Sequence, residues 1–445
     1  MKNRHLKNLR LKRIIIIFLV FGMFSCNPNS GNKKNEKTGN FSGIFKSGNF
    51  SDKILFEIER DSVSFKVFFS SLEQNAKRIP LQNVEVNGDS INFKLQSDFY
   101  TYSFKNKWID NFSKLQGSLT VDTITTLYTL EKEFLDNSNT PKSEEISFKS
   151  NGLRINGTIW YPNNNKGRAL VIVTSSGGQD RSASRAEAIL LAQKGFTTFH
   201  YDKRGTGNSE GDWNTATIEE YITDDVTAIE YFSEKTGIPL KKIGIKGSSQ
   251  GAIKIPSILN ELENLNYGIV VSCPGVTLLE SDLNYWRNRN AKLLGNHLDD
   301  ATLLQRKVFE FMAGKISRAD LENGINSEKS ASWFANIWVP NLDEVQPDKR
   351  LLYSPIPYFE KTRQPILIIQ GKMDEIIPVN SYLLITDAIK KSGNDNYKTV
   401  LLEGASHSMS NIGGSDFPYW FKLHPDYLTT IENWIKTVSN NVYKK

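Results

Sequence analysis

Lys242-Ile-Gly-Ile-Lys-Gly-Ser-Ser-Gln-Gly251, continued by Ala252-Ile-Lys-Ile-Pro-Ser-Ile-Leu, reads as a short buried strand, an abrupt turn and a helix. The turn, Gly247-Ser248-Ser249-Gln250-Gly251, fits G-x-S-x-G with Ser249 at its centre. A serine hydroxyl is a poor nucleophile until it is presented and its proton removed. A strand-to-helix turn presents it by holding the residue in a strained conformation above a sheet. The flanking glycines let two backbones approach more closely than a Cβ would permit. Glycine frequency alone yields roughly 0.1–0.2 such matches in a chain this long. The pattern therefore needs support from an acid and a histidine farther along, in that order.

The chain has five histidines. His5 lies in the N-terminal leader, His200 inside a strand pattern, His297 in a helical insertion and His424 before the final helix. His407 sits in Gly404-Ala-Ser-His-Ser-Met409, just past the last apolar strand, where a general base for Ser249 belongs. Ile368-Ile-Gln-Gly-Lys-Met-Asp-Glu-Ile-Ile-Pro378 places Asp374 in a loop after a buried strand, and Glu375 is the neighbouring alternative. The acid would accept the Nδ1 proton of the histidine, fix its tautomer and stabilise the imidazolium.

Around this stretch, strands and helices alternate. Glu145–Lys149 and Leu153–Tyr161 form a hairpin about Ser150-Asn151-Gly152. Ala169–Thr174 is a strand, Ser184–Lys194 a helix, Phe196–Tyr201 a strand and Thr217–Thr236 an amphipathic helix. Further apolar runs start at Tyr267, Pro365 and Tyr397. Apolar strands separated by helices predict a mostly parallel sheet covered on both faces. From about 275 to 362 the alternation stops. A helical insertion carrying Trp286, Phe309, Phe311, Trp333 and Trp338 is expected there, as a lid over Ser249.

Residues 41–135 read differently. Ile54–Arg60, Ser62–Phe69, Ser90–Leu95, Tyr100–Phe104, Gly117–Val121 and Thr126–Leu130 alternate apolar with polar residues, and Asn87-Gly88-Asp89 supplies a turn. This predicts a small antiparallel sandwich or barrel, whose Tyr and Phe residues form its core or line a ligand surface. Residues 136–144 form a polar linker, and 145–442 the second domain. The fold class is thus α/β: a doubly wound, mostly parallel sheet with a helical lid, preceded by a small all-β domain.

Lys2, Arg4, Lys7, Arg10, Lys12 and Arg13 precede the apolar run Ile14–Phe24, which is shorter than the roughly 20 residues of a membrane span. Residues 1–25 therefore read as an export signal. Cys26 directly after Ser25 resembles the lipobox of bacterial lipoproteins, with Met23 and Phe24 in place of the usual Leu and small residue. That resemblance implies a lipid on Cys26 and, with Asn27 following, an exported protein held at the outer membrane. Residues 26–40 would be its solvated tether. The formal charge of +6 comes from the leader: the 49 basic residues outside it equal the 49 acidic ones. No electrostatic footprint for nucleic acid remains. Of the two cysteines only Cys273 lies beyond Cys26, and no metal-binding spacing occurs, so neither metal nor cofactor is expected.

Residues 145 to about 440 resemble an α/β-hydrolase. Gly371-Lys-Met-Asp-Glu-Ile-Ile-Pro is similar to that family's acid loop and Gly404-Ala-Ser-His to its histidine loop. Val173-Thr-Ser-Ser-Gly-Gly-Gln-Asp-Arg181 and Tyr201-Asp-Lys-Arg-Gly-Thr-Gly-Asn-Ser-Glu-Gly-Asp-Trp213 resemble a bacterial esterase subgroup. That subgroup is grouped with dienelactone hydrolases and prolyl-oligopeptidase-like hydrolases and can carry a leading β domain. Gly43-Ile-Phe-Lys, Ala76-Lys-Arg-Ile-Pro-Leu and Leu115-Gln-Gly-Ser-Leu look like that domain.

The family usually has His-Gly where this chain has Thr174-Ser175. An oxyanion hole needs backbone N–H groups, so it is expected from Gln250 and Ser176, with Gly177 and Gly178 allowing close approach. Asp180 and Arg181, like Asp202 and Arg204, are expected to brace the loops beneath. The implied function is ester cleavage by Ser249, Asp374 and His407. The alternatives are a serine peptidase acting on short peptides and a non-catalytic envelope-binding protein. The β domain could contact a glycan or another envelope component.

Overall fold

The computed structural model describes residues 36–442 except 98–99, 134–140, 166, 414–416 and 418. The leader and Cys26 lie outside the described residues. No described helix is long and apolar enough to cross a membrane.

Among the described residues, nine strands form the first domain: β1 (Gly39–Ser47), β2 (Phe50–Arg60), β3 (Phe65–Ser71), β4 (Ala76–Pro80), β5 (Gln82–Asn87), β6 (Ser90–Gln96), β7 (Thr101–Ile109), β8 (Lys114–Val121) and β9 (Ile124–Glu133). All pair antiparallel, in the order β4-β3-β2-β1-β9-β8-β7-β6-β5. The two edge strands, β4 and β5, are joined by Leu81 alone, whose N–H donates to Val67 O of β3 (2.9 Å). The sheet's two ends thereby meet, and it curls into a nearly closed barrel. Of the two architectures expected, the barrel is observed. Alternation in β7 puts Tyr102, Phe104, Asn106 and Trp108 inward. The three rings among these, with Phe56, Phe93 and Leu130, fill the interior, so most of the domain's aromatics are core. Two further inward side chains, Phe417 and Trp420, come from the second domain.

The second sheet runs β10-β11-β13-β12-β14-β15-β16-β17: β10 (Lys142–Ser150), β11 (Leu153–Tyr161), β12 (Arg168–Ile172), β13 (Phe196–Tyr201), β14 (Ile243–Ser248), β15 (Tyr267–Val271), β16 (Ile366–Gly371) and β17 (Tyr397–Leu402). β10, β11 and β13 pair antiparallel, and every pair from β13 through β17 is parallel. The β10–β11 hairpin turns on Asn151 (φ 47°) and Gly152 (φ 83°), the left-handed pair that such a turn requires.

Helices α1 (Ser182–Gln193), α2 (Ile218–Thr236), α3 (Gln250–Glu261), α8 (Ser381–Lys391) and α9 (Tyr427–Val442) accompany the sheet. The α2 limits are encoded locally: Thr217 and Glu220 form a capping box, and Gly237 ends the helix at φ 69°. Apolar side chains from the two faces of the sheet form two separate cores, one against α2 and α3 and the other against α1 and α9. This is the α/β-hydrolase fold.

Between β15 and β16 lie α4 (Leu278–Leu294), α5 (Leu298–Met312), α6 (Arg318–Glu328) and the short α7 (Ile356–Phe359). Trp286 joins two small apolar clusters within this insertion, one around Leu279, Leu283 and Phe309, the other around Leu304 and Trp333. Trp286 and Trp333 thus pack within the lid, whereas Trp338 is half exposed. Tyr285, beside Trp286, faces the cleft below.

Candidate active site

The loops after β12, β14, β16 and β17 converge at the carboxyl edge of the sheet, beside the point where strand order reverses at β12. A cleft of about 750 Å³ opens there, lined by Ser176, Ser249, Gln250 and His407 from these loops and by Asp282, Tyr285 and Arg350 from the insertion.

Ser249 links β14 to α3 at φ 52° and ψ −123°, a conformation that costs an L residue about 1–3 kcal/mol. Its N–H donates to Val271 O (2.9 Å) and its carbonyl accepts from Ala252 N (2.9 Å), which fixes the turn. Both flanking glycines are sterically required. A Cβ on Gly247 would lie 2.4 Å from Gly251 O, and one on Gly251 would lie 2.9 Å from Thr174 O.

Asp374 follows β16, and its enclosed carboxylate (0% exposed) meets His407 Nδ1 at 2.9 and 3.0 Å. Ile376 N–H donates to the same carboxylate at 2.9 Å, which orients it. Glu375 is exposed and does not meet His407, and its backbone carbonyl accepts from Asn288 Nδ2 of the lid (2.7 Å). His407 is 19% exposed and lines the cleft with Ser249. No hydrogen bond joins Ser249 Oγ to the ring here, and such bonds often tighten only once substrate is bound.

Gln250 opens α3, so its N–H has no partner within the helix. It lines the cleft with Ser176, Gly177 and Asp180. The loop bearing Ser176 is held from beneath. Lys203 Nζ donates to Ser175 O (2.9 Å) and to Gly177 O, the carbonyls either side of Ser176. Burial lowers the Lys203 ammonium to about 8. Ser175 Oγ donates to Ser248 O (2.9 Å), tying this loop to the serine turn. Gly178 packs against Trp213, where a Cβ would meet the indole at 2.9 Å.

Arg181 and Asp202 form a buried ion pair, and Arg181 Nε also donates to Thr158 Oγ1 (2.9 Å). Arg204 clamps Asp224 through Nε (2.7 Å) and Glu220 through Nη1 (2.8 Å). Asp180 accepts from Ser182 N–H (2.8 Å) at the start of α1. His200 is buried: Trp160 Nε1 donates to its Nε2 (3.0 Å), and its Nδ1–H donates to Arg181 O (3.0 Å).

Several residues of the site carried no motif. Lys254–Asp225 and Lys246–Glu187 are buried ion pairs, each at 2.6 Å, beneath the loop and the serine turn. Asp282 reaches the cleft without a hydrogen bond or ion pair among the described residues. Asn75, from the β barrel, also lines the cleft. Two of these had a readable signal: Lys246 and Lys254 interrupt apolar runs, and a lysine there needs a buried partner. No three metal-ligating side chains gather among the described residues.

Residues 165–332 match a family model described as serine aminopeptidase, S33, and residues 300–430 one described as prolyl oligopeptidase family. No curated protein matches the chain. Among solved structures, the chain is similar to esterase Pf2001 of Pyrococcus furiosus (15% identity, 68% of this chain and 94% of that one, TM-score 0.45). It is also similar to proline iminopeptidase of Mycobacterium smegmatis (16%, 68% and 98%, TM-score 0.42) and to Est1E of Butyrivibrio proteoclasticus with ferulic acid bound (17%, 67% and 100%, TM-score 0.41). Both family models describe serine hydrolases, which supports a serine hydrolase.

Proposed function

We propose that this chain cleaves carboxylic esters through an acyl-enzyme on Ser249. His407 takes the hydroxyl proton as Ser249 attacks the carbonyl, then returns it to the leaving alcohol. Water repeats the cycle on the acyl-enzyme. Asp374 keeps the Nδ1 proton in place and stabilises the imidazolium. The Gln250 and Ser176 amides receive the developing oxyanion. The observation that carries this reading is the strained Ser249 sharing one cleft with an Asp374–His407 pair. A non-catalytic binding protein would have no use for that strain.

A peptidase reading has two observations in its favour: both matching models name peptidases, and the unpaired Asp282 carboxylate could meet a substrate ammonium. Against it, the leading domain is one nine-stranded barrel rather than a propeller able to gate peptides. Assaying the purified protein with short-chain p-nitrophenyl esters and aminoacyl p-nitroanilides separates the two. The ester reading expects turnover of the first, and exclusive turnover of the second overturns it. We also propose export and lipid attachment at Cys26. Palmitate incorporation that persists in Cys26→Ala would contradict that anchor.

A further inference from the structure

The loop that presents His407 has little core of its own. Ser406, Ser408 and Ser410 surround the histidine, and its buried apolar side chains are the small Ala405 and Met409, the latter held at φ 61°. β17, from which the loop springs, is the edge strand of its sheet. Ser272 Oγ donates to His407 O (2.7 Å) and Met373 N–H to Ala405 O (2.9 Å), and the loop is tied further to the segment that follows. Asn411 N–H donates to Lys422 O (2.8 Å) and His424 N–H donates to Met409 O (2.8 Å), with Ser410 opposite Leu423 in a short antiparallel bridge.

That segment is gripped by the β barrel. Leu423 N–H donates to Glu73 O (2.6 Å), and Lys422 pairs with the Glu73 carboxylate (2.5 Å). Trp420 is 6% exposed inside the barrel. It stacks on Phe69 (5.2 Å, 12°) and on Tyr102 (5.7 Å, 17°) and meets Phe45 edge-on (5.3 Å). Tyr102 OH donates to Tyr419 O (2.7 Å). Asn75, two residues from Glu73, completes the contact by lining the cleft itself. A continuous path thus runs from the barrel core through Trp420, Leu423 and Met409 to His407.

We propose that the β barrel is a working part of the active site, and that Trp420 is a positioning residue that holds the His407 loop in place against Ser249. This rests on reading His407 as the general base. A misplacement of about 1 Å in such a group costs about 10² in rate. The barrel therefore sets the catalytic rate without touching the reacting atoms through Trp420.

The test uses the full chain and compares Trp420→Ala, Trp420→Phe, Tyr102→Phe and Ser249→Ala, with circular dichroism to establish folding. Folded Trp420→Ala is expected to lose about 10²-fold in kcat with KM little changed, and the low-field proton resonance of His407 Nδ1 should broaden or shift. Trp420→Phe, which keeps an aromatic ring in the barrel, should recover most of the rate. An unchanged kcat and an unchanged Nδ1 resonance in folded Trp420→Ala overturn the proposal. If Trp420→Ala does not fold, Tyr102→Phe decides, since it removes only the hydroxyl that holds Tyr419. A lower kcat at constant KM supports the proposal there, and an unchanged kcat overturns it. Activity surviving in Ser249→Ala would instead overturn the serine reading, so the two failures are distinct.

Discussion

Lys254 Nζ and Asp225 Oδ2 lie 2.6 Å apart, each side chain about 1% exposed, directly beneath the loop expected to supply half of the oxyanion hole. Lys254 also donates to Thr174 Oγ1 (3.1 Å), and Tyr201 OH donates to Asp225. Burial raises the Asp225 carboxyl above its ordinary range, with Lys254 opposing that rise. The pair therefore depends on both members being present. Lys254→Met is predicted to cost about 3–5 kcal/mol, because it leaves a buried carboxylate without its cation. Denaturant unfolding of the variant against the wild type checks this.

The Lys203 clamp predicts a catalytic rather than a stability effect. Its ammonium holds the carbonyls on both sides of Ser176, a residue that lines the cleft and whose N–H is expected to meet the oxyanion. Lys203→Met is expected to lower kcat by about 10²–10³, the loss typical of one oxyanion donor. KM should move far less. Steady-state kinetics on a p-nitrophenyl ester separates the two, and an unchanged kcat would remove the clamp from the mechanism.

His200 gives a pH dependence. Burial, reinforced by Arg185 and Arg181, lowers it from 6.5 to about 3 in the folded chain. Between those values the unfolded chain binds the extra proton. Stability from this residue is therefore fully present above about pH 6.5 and lost as pH falls toward 3, amounting to about 2 kcal/mol by pH 5. In the folded protein the His200 ring signals should not move between pH 8 and pH 5. A titration step in that window would contradict the burial.

Much of the second domain could be read from local pattern. The serine turn, the amphipathic helix from Thr217 to Thr236 and the Asn151-Gly152 hairpin each have a short-range cause, and the structure shows each of them. β4 and β5 were not legible, because Ala76–Pro80 and Gln82–Asn87 are edge strands with little buried face and so no clear alternation. Trp420 was illegible for another reason. Its partners lie in a domain some 300 residues away, as the Tyr102–Tyr419 bond shows with a separation of 317, and no periodicity encodes such contacts. The lid aromatics were visible as a cluster, but a tryptophan in its own helical core and one facing a ligand look alike in sequence.

Hydrolysis of p-nitrophenyl butyrate by the wild type and by Ser249→Ala, with mass spectrometry of the phosphonate-treated wild type, tests Ser249 as the nucleophile most directly. The prediction is measurable wild-type turnover, a single phosphonyl adduct on the peptide containing Ser249, and a loss of about 10⁴–10⁶-fold in the variant. Undiminished hydrolysis by Ser249→Ala, or an adduct on a different residue, would contradict it.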